Sequence, residues 1–300
     1  MCTPELDRRT ALRLAATGVV AAGALIGAGA GTAAASSSAA ASAEAGTDGH
    51  GHHPRQKVPK EQISIQLYTL RNAIGDNPEP VLRQLHRIGY RKVELAGTYG
   101  LTARQFRRIL DRTGIRATSA HVGPDGDFSR TVDDCLTLGC RMAAMPYAAY
   151  TTPEEWSALA DRLNTAAAIA ARRGLRYGYH NHAQEFATLS DGRTGYAILL
   201  DGTDRRLLHM ELDLYWAVTG GADPVEVVAR DPYRFRQFHV KDRAPDGSFA
   251  DLGTGTIDFA RIFRETRSGD RFEYIVEHDQ PTDPLSTAAV GYRYLRTLRY

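Results

Sequence analysis

The sequence predicts a single (β/α)₈ TIM barrel preceded by a signal peptide and a disordered linker. Three features carry that expectation: an uncharged run near the start, a stretch without large apolar residues after it, and then eight short apolar or β-branched runs alternating with segments of helical period.

The first stretch, Met1-Cys2-Thr3-Pro4-Glu5-Leu6-Asp7-Arg8-Arg9-Thr10-Ala11-Leu12-Arg13, is basic towards its end, and residues 14–35 carry no charge. That is the layout of a secretory signal, and the pair Arg8-Arg9 points to the twin-arginine export machinery. A run of this length is about enough to span a bilayer. It is dominated by Ala and Gly, however, and Ala33-Ala34-Ala35 offers an A-x-A cleavage site, so cleavage, export and no stable membrane span afterwards are expected. Residues 36–60 are mainly Ser, Ala, Gly, His and Pro and cannot bury enough surface to offset chain entropy, which predicts a disordered linker. The tract Asp48-Gly49-His50-Gly51-His52-His53 is read as solvated linker, with metal scavenging as the alternative.

Residues 61–300 have the length of one barrel. Strands are expected at 63–69, 92–96, 116–122, 141–146, 176–180, 208–212, 235–240 and 274–277. Helix starts are marked by Thr152-Pro153-Glu154-Glu155, Asn77-Pro78-Glu79, Asp223-Pro224 and Asp283-Pro284, which combine a capping side chain with proline in the first turn. Gly89, Gly114, Gly139 and Gly174 stand where helices should end. Eight such units close into a barrel; an open doubly wound sheet is the competing arrangement.

Net charge is only +2, with acids and bases interspersed, so no nucleic-acid footprint is visible. Cys2 leaves with the signal, and Cys135 and Cys140 are expected to be buried thiols rather than a disulfide. The sequence sets no oligomeric state.

In a TIM barrel the chemistry lies at the C-terminal ends of the strands. These ends are polar almost throughout: Gln66, Tyr68 and Arg71 from the first, Glu94 from the second, His121 from the third, His180-Asn181-His182 with Glu185 from the fifth, Glu211-Leu212-Asp213 from the sixth, His239-Val240-Lys241-Asp242 from the seventh and Glu277-His278-Asp279 from the eighth. Singly, each has a plain structural explanation. Glu211 and Asp213 share a face and either could cap a helix, and Lys241-Asp242 could be a solvated turn. Together, acids facing one cavity repel one another, and a divalent cation relieves that repulsion. Mixed carboxylate and imidazole ligation suits Mn²⁺, Co²⁺, Zn²⁺ or Fe²⁺ better than Ca²⁺, and the absence of cysteine there argues against structural zinc.

The segments Ile63-Ser64-Ile65-Gln66-Leu67-Tyr68-Thr69-Leu70-Arg71, Val93-Glu94-Leu95-Ala96, Tyr179-His180-Asn181-His182-Ala183-Gln184-Glu185-Phe186, Glu211-Leu212-Asp213-Leu214-Tyr215-Trp216, His239-Val240-Lys241-Asp242 and Leu252-Gly253-Thr254-Gly255-Thr256-Ile257-Asp258-Phe259 resemble the xylose-isomerase-like TIM-barrel family of sugar phosphate isomerases/epimerases. The resemblance runs from Ile63 to the C-terminus. It implies one divalent ion, Mn²⁺ first with Zn²⁺, Co²⁺, Fe²⁺ or Mg²⁺ as alternatives, held by Asp213, His239, Glu277 and a fifth-strand residue. At that last position His180 stands where many relatives have glutamate, and Glu185 is preferred as the ligand over His180. The resemblance also implies His182 as acid or base and Lys241 as the contact to substrate oxygens, with Glu277 and His180 as further catalytic candidates. Gln66, Tyr68, Glu94, His121 and Trp216 are expected to contact a small sugar or polyol.

The implied reaction removes a proton next to a carbonyl of a sugar, keto-sugar or inositol derivative. Isomerisation or epimerisation is the expected outcome. Elimination or hydrolysis of a 3-keto-glycoside is the alternative, and a non-catalytic sugar-binding barrel lies behind both. A metal-dependent endonuclease is disfavoured by the lack of a basic groove. Gly253-Thr254-Gly255 is a weak phosphate signal, and export argues against a phosphorylated substrate.

Overall fold

The computed structural model describes residues 56–266 and 272–300, and the expected signal peptide and most of the expected linker lie outside the described residues. Each of the eight expected strands is present, as β1 (Ile63–Gln66), β2 (Lys92–Leu95), β3 (Arg116–Ala120), β4 (Met142–Met145), β5 (Arg176–His180), β6 (Leu208–Asp213), β7 (Phe235–Val240) and β10 (Glu273–Val276). They pair in parallel in the order β3-β2-β1-β10-β7-β6-β5-β4. A parallel bridge between His121 and Ala144, with the Val122 N–H donating to the Ala144 carbonyl at 2.9 Å, joins the two ends. The sheet is therefore a closed barrel and not the open doubly wound alternative.

Between β1 and β5 the return helices are α1 (Arg71–Ile74), α2 (Glu79–Ile88), α3 (Ala103–Thr113), α4 (Phe128–Leu138) and α5 (Pro153–Arg172). Local chemistry explains their limits. At α5 the Thr152 side chain accepts from the Glu155 N–H while Glu155 reaches back to Thr152, a capping box with proline at the first helical position. Helices α3 and α4 stop at Gly114 (φ +69°) and Gly139 (φ +99°), a backbone region that disfavours residues with a Cβ. Cys135 and Cys140 are buried free thiols, and burial pushes both upward from the ordinary thiol range, Cys135 to about 11.

The later helices are α6 (Gly195–Gly202), α7 (Leu214–Thr219), α8 (Pro224–Ala229), α9 (Phe259–Glu265) and α10 (Pro284–Thr297). A two-stranded antiparallel ribbon, β8 (Asp242–Arg243) with β9 (Phe249–Ala250), rises directly from the end of β7. Residues 56–60, the end of the stretch read as linker, are tied to the barrel: the Gln56 N–H donates to the Tyr300 carbonyl, Lys57 bridges Arg299, and Val58 is fully buried.

Apolar residues between the strands and the helices form the core, whereas much of the barrel interior is polar. Along β6 the alternating residues His209, Glu211 and Asp213 are all buried, as are Gln237, His239 and Lys241 along β7 and just beyond it. These polar groups find partners inside: His209 Nε2 lies 3.1 Å from Gln237 Oε1, and the Gln237 amide donates to Ser119 Oγ at 2.9 Å. Gly178 on β5 makes room for the first of them, because a Cβ there would lie 2.5 Å from the His209 ring.

Candidate active site

The strand ends deliver two groups of acids with imidazoles between them. In the outer group, nearer the barrel mouth, the Lys241 ammonium lies 3.0 Å from Asp213 Oδ2, 2.8 Å from Glu277 Oε2 and 2.8 Å from Asp279 Oδ1. Three carboxylates share this one ammonium. The inner group contains Glu94, Glu211 and His121. Here His121 Nε2 is 2.7 Å from Glu211 Oε1 and 3.2 Å from Glu94 Oε2, and the Gln66 amide donates to Glu94 Oε2 at 2.8 Å.

His180 and His239 stand between the groups and present one ring nitrogen to each. His239 Nδ1 is 2.7 Å from Glu277 Oε2, and its Nε2 is 2.7 Å from Glu94 Oε2 and 3.0 Å from Glu211 Oε1. His180 Nδ1 is 3.0 Å from Glu211 Oε1, while its Nε2 faces Asp213 Oδ2 at 3.9 Å. Two ligand sets result, each with donor atoms within 4.8 Å of one another: His180, Asp213, His239 and Glu277, and His121, His180, Glu211 and His239.

Burial and charge act differently on these acids. Burial alone would raise Glu277, but Lys241 and His239 outweigh it and hold the carboxyl well below its usual range. Glu211 is likewise pushed up by burial and pulled well below its usual range by His239 and His121. Asp213 is raised to about 6 by burial, with Lys241 only partly opposing. Glu94 is raised by burial and by the charge of Glu211. Lys241 loses charge preference to burial, yet Asp213, Glu277 and Asp279 hold its ammonium well above the ordinary range. For His239 the acids similarly outweigh burial and favour the protonated ring.

A divalent ion fits the outer set. Two carboxylates and two imidazoles are the donor mixture of borderline divalent metals, their donor atoms lie within 4.8 Å of one another, and Asp213 Oδ2 is a buried oxygen without a hydrogen bond. Lys241 is close to that oxygen but lacks hydrogen-bond geometry to it. The other oxygen, Oδ1, accepts from the Trp216 N–H at 2.9 Å and caps α7. Asp213 therefore serves as cap and as candidate ligand at once, one oxygen for each.

Glu185 belongs to neither ligand set. Its Oε1 accepts from the Tyr179 hydroxyl at 2.7 Å and its Oε2 from the His182 N–H at 3.0 Å, which turns the carboxylate towards its own turn. Burial raises it to about 7. The fifth-strand donor in the outer set is His180.

His182 lies outside both sets. Its ring sits 5.1 Å from Trp216, 5.1 Å from Tyr147 and 5.2 Å from His180, its Nδ1 has no hydrogen-bond partner, and burial, with the Lys241 charge nearby, keeps it neutral. Of the residues expected to touch substrate, Gln66 and Glu94 are fully buried and bonded to each other, and His121 belongs to the inner group. Tyr68 is 44% exposed beside the Arg71 guanidinium. Trp216 forms a wall with His182, and Lys241 lies 5.5 Å above its ring.

Three contributors escape a reading of single positions. Glu211 meets three imidazoles, which its alternation with Asp213 on β6 foreshadows. Asp279 pairs with Lys241 and follows the eighth strand by three residues. Asp242 is buried, and its carboxylate accepts from the N–H groups of Arg243, Gly253, Gly255 and Ile257 at 2.8, 2.9, 3.0 and 3.3 Å. The Gly253 and Gly255 amides of this loop are thus spent on Asp242 and the Thr254 N–H on the Asp251 carbonyl, and the Asp242 carboxylate occupies the space a Cβ on Gly255 would take.

Residues 82–298 match the family described as xylose isomerase-like TIM barrel. The chain belongs to that family. This xylose isomerase-like barrel is 27% identical to the inosose dehydratase of Geobacillus kaustophilus (strain HTA426), over 75% of its own length and 89% of the relative's. A sugar phosphate isomerase/epimerase from Parabacteroides distasonis ATCC 8503 is 26% identical, with a TM-score of 0.70 over 79% of this chain and 98% of the other. The IOLI protein, crystallised with a bound zinc atom, shares the fold at 15% identity and a TM-score of 0.59, over 78% of this chain and 96% of that one. These xylose isomerase-like relatives carry the names of sugar-acting enzymes, dehydratase and isomerase/epimerase alike. Among the described residues no helix is long and apolar enough to cross a membrane.

Proposed function

We propose that this protein is a divalent-metal-dependent isomerase or epimerase of an unphosphorylated sugar, keto-sugar or inositol derivative. The observation that carries the reading is the outer group: two carboxylates and two imidazoles with donor atoms within 4.8 Å of one another on Asp213, Glu277, His180 and His239, with the Lys241 ammonium and a neutral His182 beside them. The zinc atom held by the IOLI protein on the same fold supports a transition ion; Mn²⁺ is our first choice on donor chemistry.

His182, neutral and with an unpartnered Nδ1, accepts the proton from the carbon next to the carbonyl. Lys241, kept charged by its three acids, donates to the oxyanion that develops. Trp216 and His182 offer ring faces against which a sugar ring can lie. The ion, when bound, supplies positive charge beside the same oxygen. Return of the proton to another carbon isomerises; return to the other face epimerises. The amides of the Gly253-Thr254-Gly255 loop are already engaged, which supports a substrate without phosphate.

A second reading is favoured by the inosose dehydratase relatives: the proton is removed from one carbon, hydroxide leaves the next, and water and an unsaturated ketone result. The test is incubation of the Mn²⁺-loaded protein with free sugars, 3-keto-glycosides and inososes in D₂O. A product of unchanged formula carrying deuterium at the carbon next to the carbonyl supports isomerisation or epimerisation. A new ultraviolet-absorbing enone with loss of water selects dehydration, and no solvent exchange with any of them overturns proton abstraction. Export by the twin-arginine route is proposed from Arg8-Arg9; replacing both by Lys should hold the protein in the cytoplasm, and unchanged export would refute it.

A further inference from the structure

Two sets of side chains share His180 and His239, and an imidazole binds an ion through only one of its nitrogens while the other keeps its proton. The choice of nitrogen is therefore the choice of ion position. Around the inner group two acids face the rings. Glu211 Oε1 is hydrogen-bonded to His121 Nε2 at 2.7 Å and His180 Nδ1 at 3.0 Å, whereas His239 Nε2, 3.0 Å from the same oxygen, makes its hydrogen bond to Glu94 Oε2 at 2.7 Å. Of the two inner acids, Glu211 meets His121 Nε2 at 2.7 Å and Glu94 accepts from the Gln66 amide at 2.8 Å.

We propose that Glu211 is a positioning residue: it takes the Nδ1–H of His180, while Glu94 beside it takes the Nε2–H of His239, so that His180 turns Nε2 and His239 turns Nδ1 towards one ion held with Asp213 and Glu277. The inference rests on the metal-dependent reading above and adds to it which nitrogen of each ring binds and which residue decides this. The two rings coordinate through different nitrogens because they reach these acids from different strands, β5 and β7. His121, whose ring stacks on His239 with centroids 5.3 Å apart, completes the surroundings of Glu211 and is not a ligand.

The first experiment needs no variant. Long-range ¹H–¹⁵N spectra of the Zn²⁺-loaded protein should show one histidine bound through Nε2 with a protonated Nδ1, and one bound through Nδ1 with a protonated Nε2. Both rings bound through the same kind of nitrogen would overturn the proposal. The second compares Co²⁺ binding, by chelator competition and visible absorption, in Glu211→Gln, His121→Asn and Asp213→Asn. Loss of a carboxylate that orients metal-bound imidazoles typically costs about 10- to 100-fold in affinity. Glu211→Gln should weaken Co²⁺ by that amount at an unchanged stoichiometry of one ion, and His121→Asn should leave the ligand-field spectrum intact. Wild-type affinity in Glu211→Gln, with binding lost in Asp213→Asn, would refute the role of Glu211 and leave the metal-dependent reading standing. Binding retained in Asp213→Asn and abolished in His121→Asn would move the ion to the inner set and overturn both.

Discussion

The outer and inner groups of this barrel both set buried acids against basic side chains, but they solve the problem of buried charge differently. The inner acids, Glu94 and Glu211, lie against imidazoles and the Gln66 amide. The outer acids, Asp213, Glu277 and Asp279, share one lysine. Isolated buried charge is costly, so an arrangement short of cations is either unstable or made to receive one. The difference teaches that composition alone does not mark an ion site. Each group keeps buried carboxylate oxygens without a hydrogen bond, Asp213 Oδ2 in the outer and Glu94 Oε1 and Glu211 Oε2 in the inner; what differs is that the outer acids share one ammonium while the inner acids meet imidazole rings.

The largest expected effect sharpens the outer side of this comparison. Replacing the neutral base in His182→Ala should lower turnover by about 10²- to 10⁴-fold while metal content, measured by elemental analysis, stays unchanged. Turnover close to that of the native protein would return His182 to a structural role beside Trp216 and Tyr147.

Next, Lys241→Met strips the outer group of its one ammonium. In metal-free protein at pH 8 this should cost about 3–5 kcal/mol by denaturant unfolding, because the buried carboxylates of Asp213 and Glu277 lose the ammonium they share with Asp279. His121→Asn on the inner side should cost less. Equal losses in the two variants would erase the distinction between the groups.

Glu185 provides a carboxylate outside both. Its folded-state value of about 7 stands above the ordinary 4.5 because of burial, so the folded chain holds this proton more tightly than the unfolded chain does. The associated stability is fully present below about pH 4.5 and lost as pH rises through 7, a span worth about 3 kcal/mol for a buried group. In Glu185→Gln that part of the pH dependence should vanish while Co²⁺ binding persists. Loss of the ion in this variant would restore Glu185 as a ligand in place of His180.

The smallest effect concerns the ion itself. Asp213 is raised to about 6, and a ligand must shed its proton to bind, so Mn²⁺ affinity should be flat above pH 6 with respect to this group and fall about tenfold per pH unit below it. Isothermal titration at pH 5, 6, 7 and 8 measures the slope, and affinity unchanged between pH 5 and 6 would remove Asp213 from the ligand set.

How much of this was legible beforehand differs from residue to residue. The eight strands were, because short β-branched and apolar runs between capped helices are local signals, and Thr152-Pro153-Glu154-Glu155 starts its helix as its chemistry predicts. That acids and histidines gather at the strand ends was also legible, since the barrel topology carries any strand terminus to one face. Glu185 against His180 was not: both follow the fifth strand within five residues, and only the contact of Glu185 with the Tyr179 hydroxyl and the His182 N–H shows which way its carboxylate turns. Nor was the use of the loop at Gly253-Thr254-Gly255, whose glycine amides are taken by Asp242 eleven to thirteen positions earlier.

The sequence by itself determined the fold class, the family and the end of the barrel at which the polar residues collect, because all three follow from periodicity, caps and motifs read along the chain. Tertiary structure alone decided that Asp213 divides its two oxygens between a helix cap and the site, that Glu211 faces three imidazoles, and that Lys241 is shared among three acids. The physical reason is that these are balances of charge and hydrogen bonding among five or more strands. Closing the barrel is what brings such partners together: His239 and Glu94, 145 positions apart in the chain, meet at 2.7 Å, and Glu211 and His121, 90 apart, meet at 2.7 Å.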